Sequence, residues 1–97
     1  MEFKFSAAEP FFRGHYPGSP VTPGVILIDR AVLAAEKMLG RKIALTGMKK
    51  VKFSSPVLPD EIVSLTLELR AEGEMFYSFL KDGAHCASGV FLFRNMV

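Results

Sequence analysis

Two ionisable side chains in the first third of the chain have the types and the spacing that acid–base chemistry requires. His15 begins a loop rich in proline and glycine, and Asp29 follows fourteen residues later inside a strongly apolar stretch. An imidazole exchanges a proton near neutral pH, and a carboxylate among apolar neighbours is costly to bury without a partner. The pair therefore predicts a general base and a general acid.

Each of these two residues also has a purely structural interpretation. Asp29 is then a charge on the helix surface beside Arg30, or one stabilised by the positive end of the helix dipole. His15 is then a loop imidazole in contact with solvent. A lone histidine does not decide between the two interpretations.

The loop GHYPGSPVTPGV favours the catalytic interpretation because its composition makes it stiff. Its prolines restrict φ and its glycines permit tight turns, so the loop can hold the His15 ring in one pose. Gly24 lies in the first turn of the predicted helix, where free amides and the dipole favour an anionic oxygen. A base, an acid and such a donor suit removal of a proton next to a carbonyl. The prolines and glycines of this stretch are Gly14, Pro17, Gly18, Pro20, Pro23 and Gly24.

The element that must position Asp29 is a helix with clear start and stop signals. Thr22 is a favourable N-cap residue, Pro23 suits the first helical position, and Gly40 follows the last helical residue, Leu39. The first turns are apolar on nearly every side, which predicts a buried helix rather than one on a surface.

The other elements read as strands. Phe3 and Phe5 alternate with polar residues in an opening strand, and the clearest alternation runs over residues 63–70. Residues 43–54, 75–81 and 84–94 are the other strands, with a hairpin at Asp82-Gly83. These elements predict an α+β fold in which an antiparallel sheet wraps around one long helix.

Size and composition limit the class of protein. The 97 residues fit a single domain, residues 1–97, and a net charge of +2 without basic blocks argues against nucleic acid as a partner. Uninterrupted apolar runs such as Val25 to Ile28 are too short for a membrane span. Cys86 has no internal disulfide partner, and MEFKFSAAEP lacks the apolar run of a signal peptide. We therefore expect a cytoplasmic protein.

Three stretches of the chain resemble the hotdog-fold 3-hydroxyacyl-[acyl-carrier-protein] dehydratases. The first is PFFRGHYPGSPVTPGVILID, similar to the family's H-F-P-G-x-P-V-M-P-G-V loop, which an acidic residue follows fourteen positions after the histidine. The others are MKKVKFSSPVLPDEIVSLTLEL and FYSFLKDGAHCASGVFLF. Together they cover nearly the whole chain, and the first is the most specific.

This resemblance implies dehydration of 3-hydroxyacyl-ACP thioesters to trans-2-enoyl-ACP, in fatty acid or related lipid or polyene biosynthesis. His15 would take the α-proton, Asp29 would act on the 3-hydroxyl as it leaves as water, and the Gly24 amide would bind the thioester carbonyl. No cofactor or metal is expected, because the thioester already acidifies the α-carbon. The expected substrate-binding residues are Gly18, Pro23, Gly24 and Val25.

The resemblance also implies partners. One is an acidic acyl carrier protein; the other is a second copy of the chain, because each site of the family takes its histidine and its acid from different subunits. A small domain has a thin core, which also favours a dimer; a higher oligomer or a heterodimer is an alternative. The basic residues Arg41, Lys42, Lys49, Lys50 and Lys52 either steer the carrier or protect a strand edge.

Two other functions compete with dehydration. A hotdog thioesterase would use Asp29 to activate water, although that chemistry has no evident use for His15. A non-catalytic acyl-binding subunit would account for Leu33, which stands where many family members have glutamine. Phe11, Phe12 and Phe53 could line an acyl tunnel, but we expect each of them to be a core residue.

Overall fold

One helix packs against one face of a five-stranded antiparallel sheet. The computed structural model describes residues 1–6, 22 and 24–96. The elements are β1 (Glu2–Lys4), α1 (Gly24–Leu39), β2 (Ile43–Phe53), β3 (Ile62–Ala71), β4 (Glu74–Lys81) and β5 (Ala84–Asn95). The strand order is β1-β3-β4-β5-β2, so the opening strand joins the sheet and β2 forms an edge.

The strands form where the sequence alternates. In β3, Val63 and Leu65 are buried in the core, whereas Ser64 and Thr66 point to the other face of the sheet. The β4–β5 hairpin turns at two residues with positive φ, Asp82 and Gly83, at 52° and 80°. This is the turn that Asp-Gly favours, and the predicted hairpin is confirmed.

The helix ends where Gly40 was predicted to stop it. Gly40 has a φ of 71°, and its N–H donates to the Glu36 carbonyl at 2.8 Å. The Glu36 carboxylate in turn accepts a hydrogen bond from the Ile43 N–H at 2.9 Å. The last turn of α1 is thereby tied to the first residue of β2.

The prediction that the helix is buried on nearly all sides is wrong for this chain alone. Leu27, Ala31, Ala34 and Ala35 pack into the core, but Val25 is 69% exposed and Leu33 is 44% exposed. The physical reason is geometric: a single sheet covers one side of a helix, and no other described residues cover the side chains on the far side.

An aromatic layer on β4 and β5 forms the centre of the core. The ring centroid of Tyr77 lies 6.3 Å from that of Phe79 and 6.1 Å from that of Phe91. Cys86 is buried beside them as a free thiol, and its Sγ donates to the Phe79 carbonyl at 3.3 Å. Burial raises the pKa of the Cys86 thiol, so it packs as a small apolar side chain.

The described part of the chain contains no helix with the length and hydropathy that crossing a membrane would require.

Candidate active site at the start of the helix

A pocket of about 280 Å³ lies at the N-terminal end of α1. One wall is the start of the helix, and the other is the last residue of β2 with the segment that follows it. We call residues 54–61 the proline loop. The lining residues are Thr22, Gly24, Leu27, Phe53, Ser54, Ser55, Pro56 and Val57.

The proline loop is held against the helix start by backbone hydrogen bonds. The N–H of Thr22 donates to the Val57 carbonyl at 2.7 Å. At the other end of the loop, the N–H groups of Ser54 and Ser55 donate to the Cys86 carbonyl at 2.9 and 3.2 Å. The helix start, the loop and β5 are therefore coupled.

A charged side chain from β4 braces the same loop. Lys81 Nζ donates to the Pro56 carbonyl at 2.9 Å and to Glu61 Oε1 at 3.1 Å. That carboxylate oxygen also accepts a hydrogen bond from the Leu58 N–H at 2.8 Å. The Leu58 N–H, and then Lys81, lower the pKa of Glu61 against the opposing effect of desolvation.

Phe53 covers Gly24. A methyl carbon added at Gly24 would lie 2.5 Å from Cζ and 2.8 Å from Cε1 of the Phe53 ring, so only glycine permits this approach. Phe53 is nevertheless 54% exposed. The prediction that Phe53 belongs to the core is therefore wrong: it ends β2 opposite the small residue Ala87, and its ring lies against the first residue of the helix instead of among the core residues.

Thr22 lines the pocket and has a buried hydroxyl. The residue is 6% exposed, and its Oγ1 has no hydrogen-bond partner among the residues that the structure describes. The predicted N-cap bond from this hydroxyl to the helix amides is not formed. The loop fixes Thr22 through its backbone N–H instead, which leaves the hydroxyl available.

Asp29 lies on the exposed face of the helix. Val25, Asp29 and Leu33 are spaced by four residues, and all three are exposed. Asp29 is five residues beyond Gly24, or about 7.5 Å along the helix axis. The expectation of a buried carboxylate is therefore not met within one chain, because nothing in the described residues covers this face.

Three predicted site residues, His15, Gly18 and Pro23, lie outside the described residues, as do Phe11 and Phe12. The pairing of His15 with Asp29 therefore stays a prediction. The described members of the predicted site are Gly24, which lies in the pocket wall, and Val25, which lies on the exposed face with Asp29.

The basic residues of the strand edge are exposed around β2. Lys49 forms an ion pair with Glu74, and the pairing register of β2 with β5 is irregular between Lys49 and Lys52. Lys50 has a φ of 56° at this irregularity. Lysines and an irregular register are both devices that keep an edge strand from pairing with other sheets.

The face of the sheet that points away from the helix carries a hydrogen bond between two side chains, Ser78 and His85. Ser78 Oγ lies 2.5 Å from Nδ1 of the exposed His85, and Ser78 itself is buried.

Among the described residues, no group of three or more His, Cys, Asp or Glu side chains is arranged to hold a metal.

The sequence did not predict the long-range contacts that hold this pocket together. The contact between Phe53 and Gly24 joins residues 29 positions apart, and Lys81 reaches Pro56 across 25 positions. The two prolines at 56 and 59 were the available signal, since they predict a stiff loop directly after a strand.

With this geometry in place, comparison with known proteins identifies the family. The model of the ApeI-like family, described as ApeI dehydratase, matches residues 1–90. The chain belongs to this ApeI-like dehydratase family. The match includes both the His15 loop and the Asp29 helix.

Curated relatives of this ApeI-like chain include the 3-hydroxyacyl-[acyl-carrier-protein] dehydratase FabZ of Chlamydia trachomatis serovar D. The two are 42% identical over an alignment of 69 residues that covers 62% of this chain and 45% of the relative. The chain spans about half the length of the curated relatives it matches.

Solved structures show that the ApeI-like chain has a hotdog fold. The dehydratase heterocomplex ApeI:P from Xenorhabdus doucetiae matches with a TM-score of 0.85 at 22% identity, over 95% of this chain and 82% of that one. The gentisyl-coenzyme A thioesterase BH1999 matches with a TM-score of 0.62 at 16% identity, over 99% and 88%. Because a dehydratase and a thioesterase share this fold, the fold alone does not decide the reaction.

Proposed function

We propose that this chain dehydrates 3-hydroxyacyl thioesters carried on acyl carrier protein to trans-2-enoyl thioesters. The observation that carries the proposal is the fourteen-residue spacing of His15 and Asp29 within the segment that matches the ApeI-like dehydratase family. Asp29 is exposed on the helix face that points away from the core. This position supports the proposal, because a carboxylate that reacts must be accessible to the substrate.

Each residue has one role in the proposed reaction. His15 takes the proton from C2, and the electrons of that C–H bond form the C2=C3 double bond. The C3–O bond breaks, and the hydroxyl leaves as water with a proton from Asp29. The Gly24 N–H donates to the thioester oxygen, where negative charge develops. Proton exchange through solvent then returns His15 and Asp29 to their starting states.

The proposed partners are an acyl carrier protein and a second copy of the chain. The exposed lysines of β2 suit an acidic carrier. Two uncovered features support a dimer: the free edge of β2, and the helix face that carries Val25, Asp29 and Leu33. A second copy over that face would remove Val25 and Leu33 from water and enclose Asp29.

Turnover by the purified protein tests the proposal. We expect wild-type protein to interconvert 3-hydroxyacyl-ACP and trans-2-enoyl-ACP, followed by the ultraviolet absorbance of the enoyl thioester. His15→Ala and Asp29→Asn should each lower the rate by at least about 100-fold. Both should keep the wild-type circular dichroism spectrum.

The matched control is Glu72→Gln, the same change from acid to amide at an exposed position of the β3–β4 turn. The adjacent Gly73 carbonyl accepts from the Phe93 N–H, at the opposite end of β5 from Ala87, the partner of Phe53. Glu72→Gln should keep wild-type activity. Inert wild-type protein on all acyl lengths would refute the dehydratase. Release of free thiol from acyl thioesters would favour the thioesterase instead.

A further inference from the structure

We infer that Phe53 is a specificity-determining residue that selects acyl thioesters without a branch at C2. This inference rests on the proposed function, because it assumes that the thioester oxygen binds the Gly24 amide. Phe53 has no core role that would account for its place: it is more than half exposed, and its ring lies over the first residue of the helix.

The contact with Gly24 places the ring at the reacting carbons. The ring atoms Cζ and Cε1 lie where the Cβ of any larger residue at position 24 would be. An oxygen bound to the Gly24 N–H approaches the same end of the helix. Since C2 is two bonds from that oxygen, a substituent on C2 competes with the Phe53 ring for space.

The pocket also shows an independent sign of a polar ligand. Thr22 lines the pocket, and its Oγ1 is buried and has no partner among the described residues. A buried hydroxyl without a partner is unfavourable, and a ligand oxygen admitted by movement of the Phe53 ring would satisfy it. The pocket volume of about 280 Å³ is small for a ligand site, so one aromatic ring decides much of what fits.

Binding of two stable substrate analogues tests this inference. The probes are pantetheine analogues of a straight 3-hydroxyacyl thioester and of the same thioester with a 2-methyl branch. In both, NH replaces the thioester sulfur, so the amide keeps the carbonyl oxygen and resists turnover. Each is titrated calorimetrically into the 97-residue protein. We expect wild-type protein to bind the straight probe at least about tenfold more tightly, the discrimination that one methyl group gives in a tight pocket. Phe53→Ala should reduce that ratio to about twofold.

Two further variants keep the result interpretable. Phe53→Leu keeps an apolar side chain and should give an intermediate ratio if Phe53→Ala does not fold. Phe76→Ala removes an equivalent ring on the opposite face of the sheet, where Arg70 lies 4.2 Å from its centroid, and should leave the ratio unchanged.

The outcomes separate this inference from the proposed function. Equal binding of both probes to wild-type protein, an unchanged ratio in the Phe53 variants, or no binding of either probe would overturn the role of Phe53. Selective binding that depends on Phe53 but is accompanied by no turnover would overturn the dehydratase and keep the inference.

Discussion

At the scale of single residues, the proposed chemistry depends on how closely a ring and a backbone can approach. Gly24 is the point of contact, since its Cα faces the ring of Phe53 without a side chain between them. Its backbone is helical, so the requirement for glycine is one of space and not of φ.

Gly24→Ala should therefore lower activity without unfolding the protein. The added methyl must push the exposed Phe53 ring aside, and a displaced pocket wall costs roughly 10- to 100-fold in kcat/KM. Alanine is a better helix former than glycine, so Tm should stay the same or rise. Adding Phe53→Leu should recover part of the lost activity; a double variant no better than Gly24→Ala would contradict a steric cause.

At the scale of elements, one arrangement stabilises the sheet and a second stabilises the proline loop beside the pocket. The first is the pairing of β4 and β5, where Tyr77 lies opposite Gly89. A methyl carbon added at Gly89 would lie 2.7 Å from the Tyr77 hydroxyl, and Tyr77 is fully buried and has no room to move. The Tyr77 hydroxyl has no hydrogen-bond partner among the described residues, so its burial lowers the free energy of unfolding.

Gly89→Ala should destabilise the protein by about 1–3 kcal/mol, because it overpacks a rigid site. Tyr77→Phe should be stabilising by up to about 1 kcal/mol, and it should reduce the cost of Gly89→Ala when the two are combined. Urea denaturation of the four proteins measures this. Gly47→Ala, which meets only Leu92 at 3.5 Å among the described residues, is the matched control and should change stability little.

The second arrangement is the brace of the proline loop by Lys81 and Glu61. The folded protein lowers the pKa of Glu61 below its ordinary value of 4.5, so the unfolded chain takes up the proton first as the pH falls. The stabilisation that Glu61 gives is therefore present above that ordinary value and is lost as the pH falls through the lowered one.

Glu61→Gln should cost about 1 kcal/mol at neutral pH, since the carboxylate is partly exposed and accepts one backbone hydrogen bond. The stability difference from wild type should shrink between roughly pH 5 and pH 3. Glu68→Gln is the control, because Glu68 is exposed and its ion pair is with Arg70 on its own strand. A stability difference that grows as the pH falls would contradict a lowered pKa for Glu61.

At the scale of the whole molecule, the sequence predicted the features that depend on residues close together in the chain. The strands followed from alternation, the helix end from Gly40, and the hairpin from Asp82-Gly83, each within one or two residues of the structure. The environments of Asp29 and Phe53 did not follow, for different reasons. No described residue covers Asp29, and Phe53 contacts Gly24 through a long-range contact that no local sequence pattern predicts.

The exposed helix face that carries Val25, Asp29 and Leu33 offers a test of the proposed dimer. Leu33→Glu places a charge on the exposed helix face, where a single chain tolerates it because Leu33 is not in the core. If a second copy covers that face, the charge is buried and the dimer is weakened. Light scattering should show a dimer for wild-type protein and a monomer for Leu33→Glu; a Leu33→Glu dimer would place the interface elsewhere.

Complementation between two inactive variants tests whether His15 and Asp29 of different copies act in one site. If His15 of one copy and Asp29 of another form one site, a mixed dimer of His15→Ala and Asp29→Asn contains one intact site. Equal amounts, refolded together, should regain about a quarter of wild-type dehydratase activity, because half of the dimers are mixed and each has one working site. A mixture that native mass spectrometry shows to contain mixed dimers, but that stays inactive, would contradict the shared site.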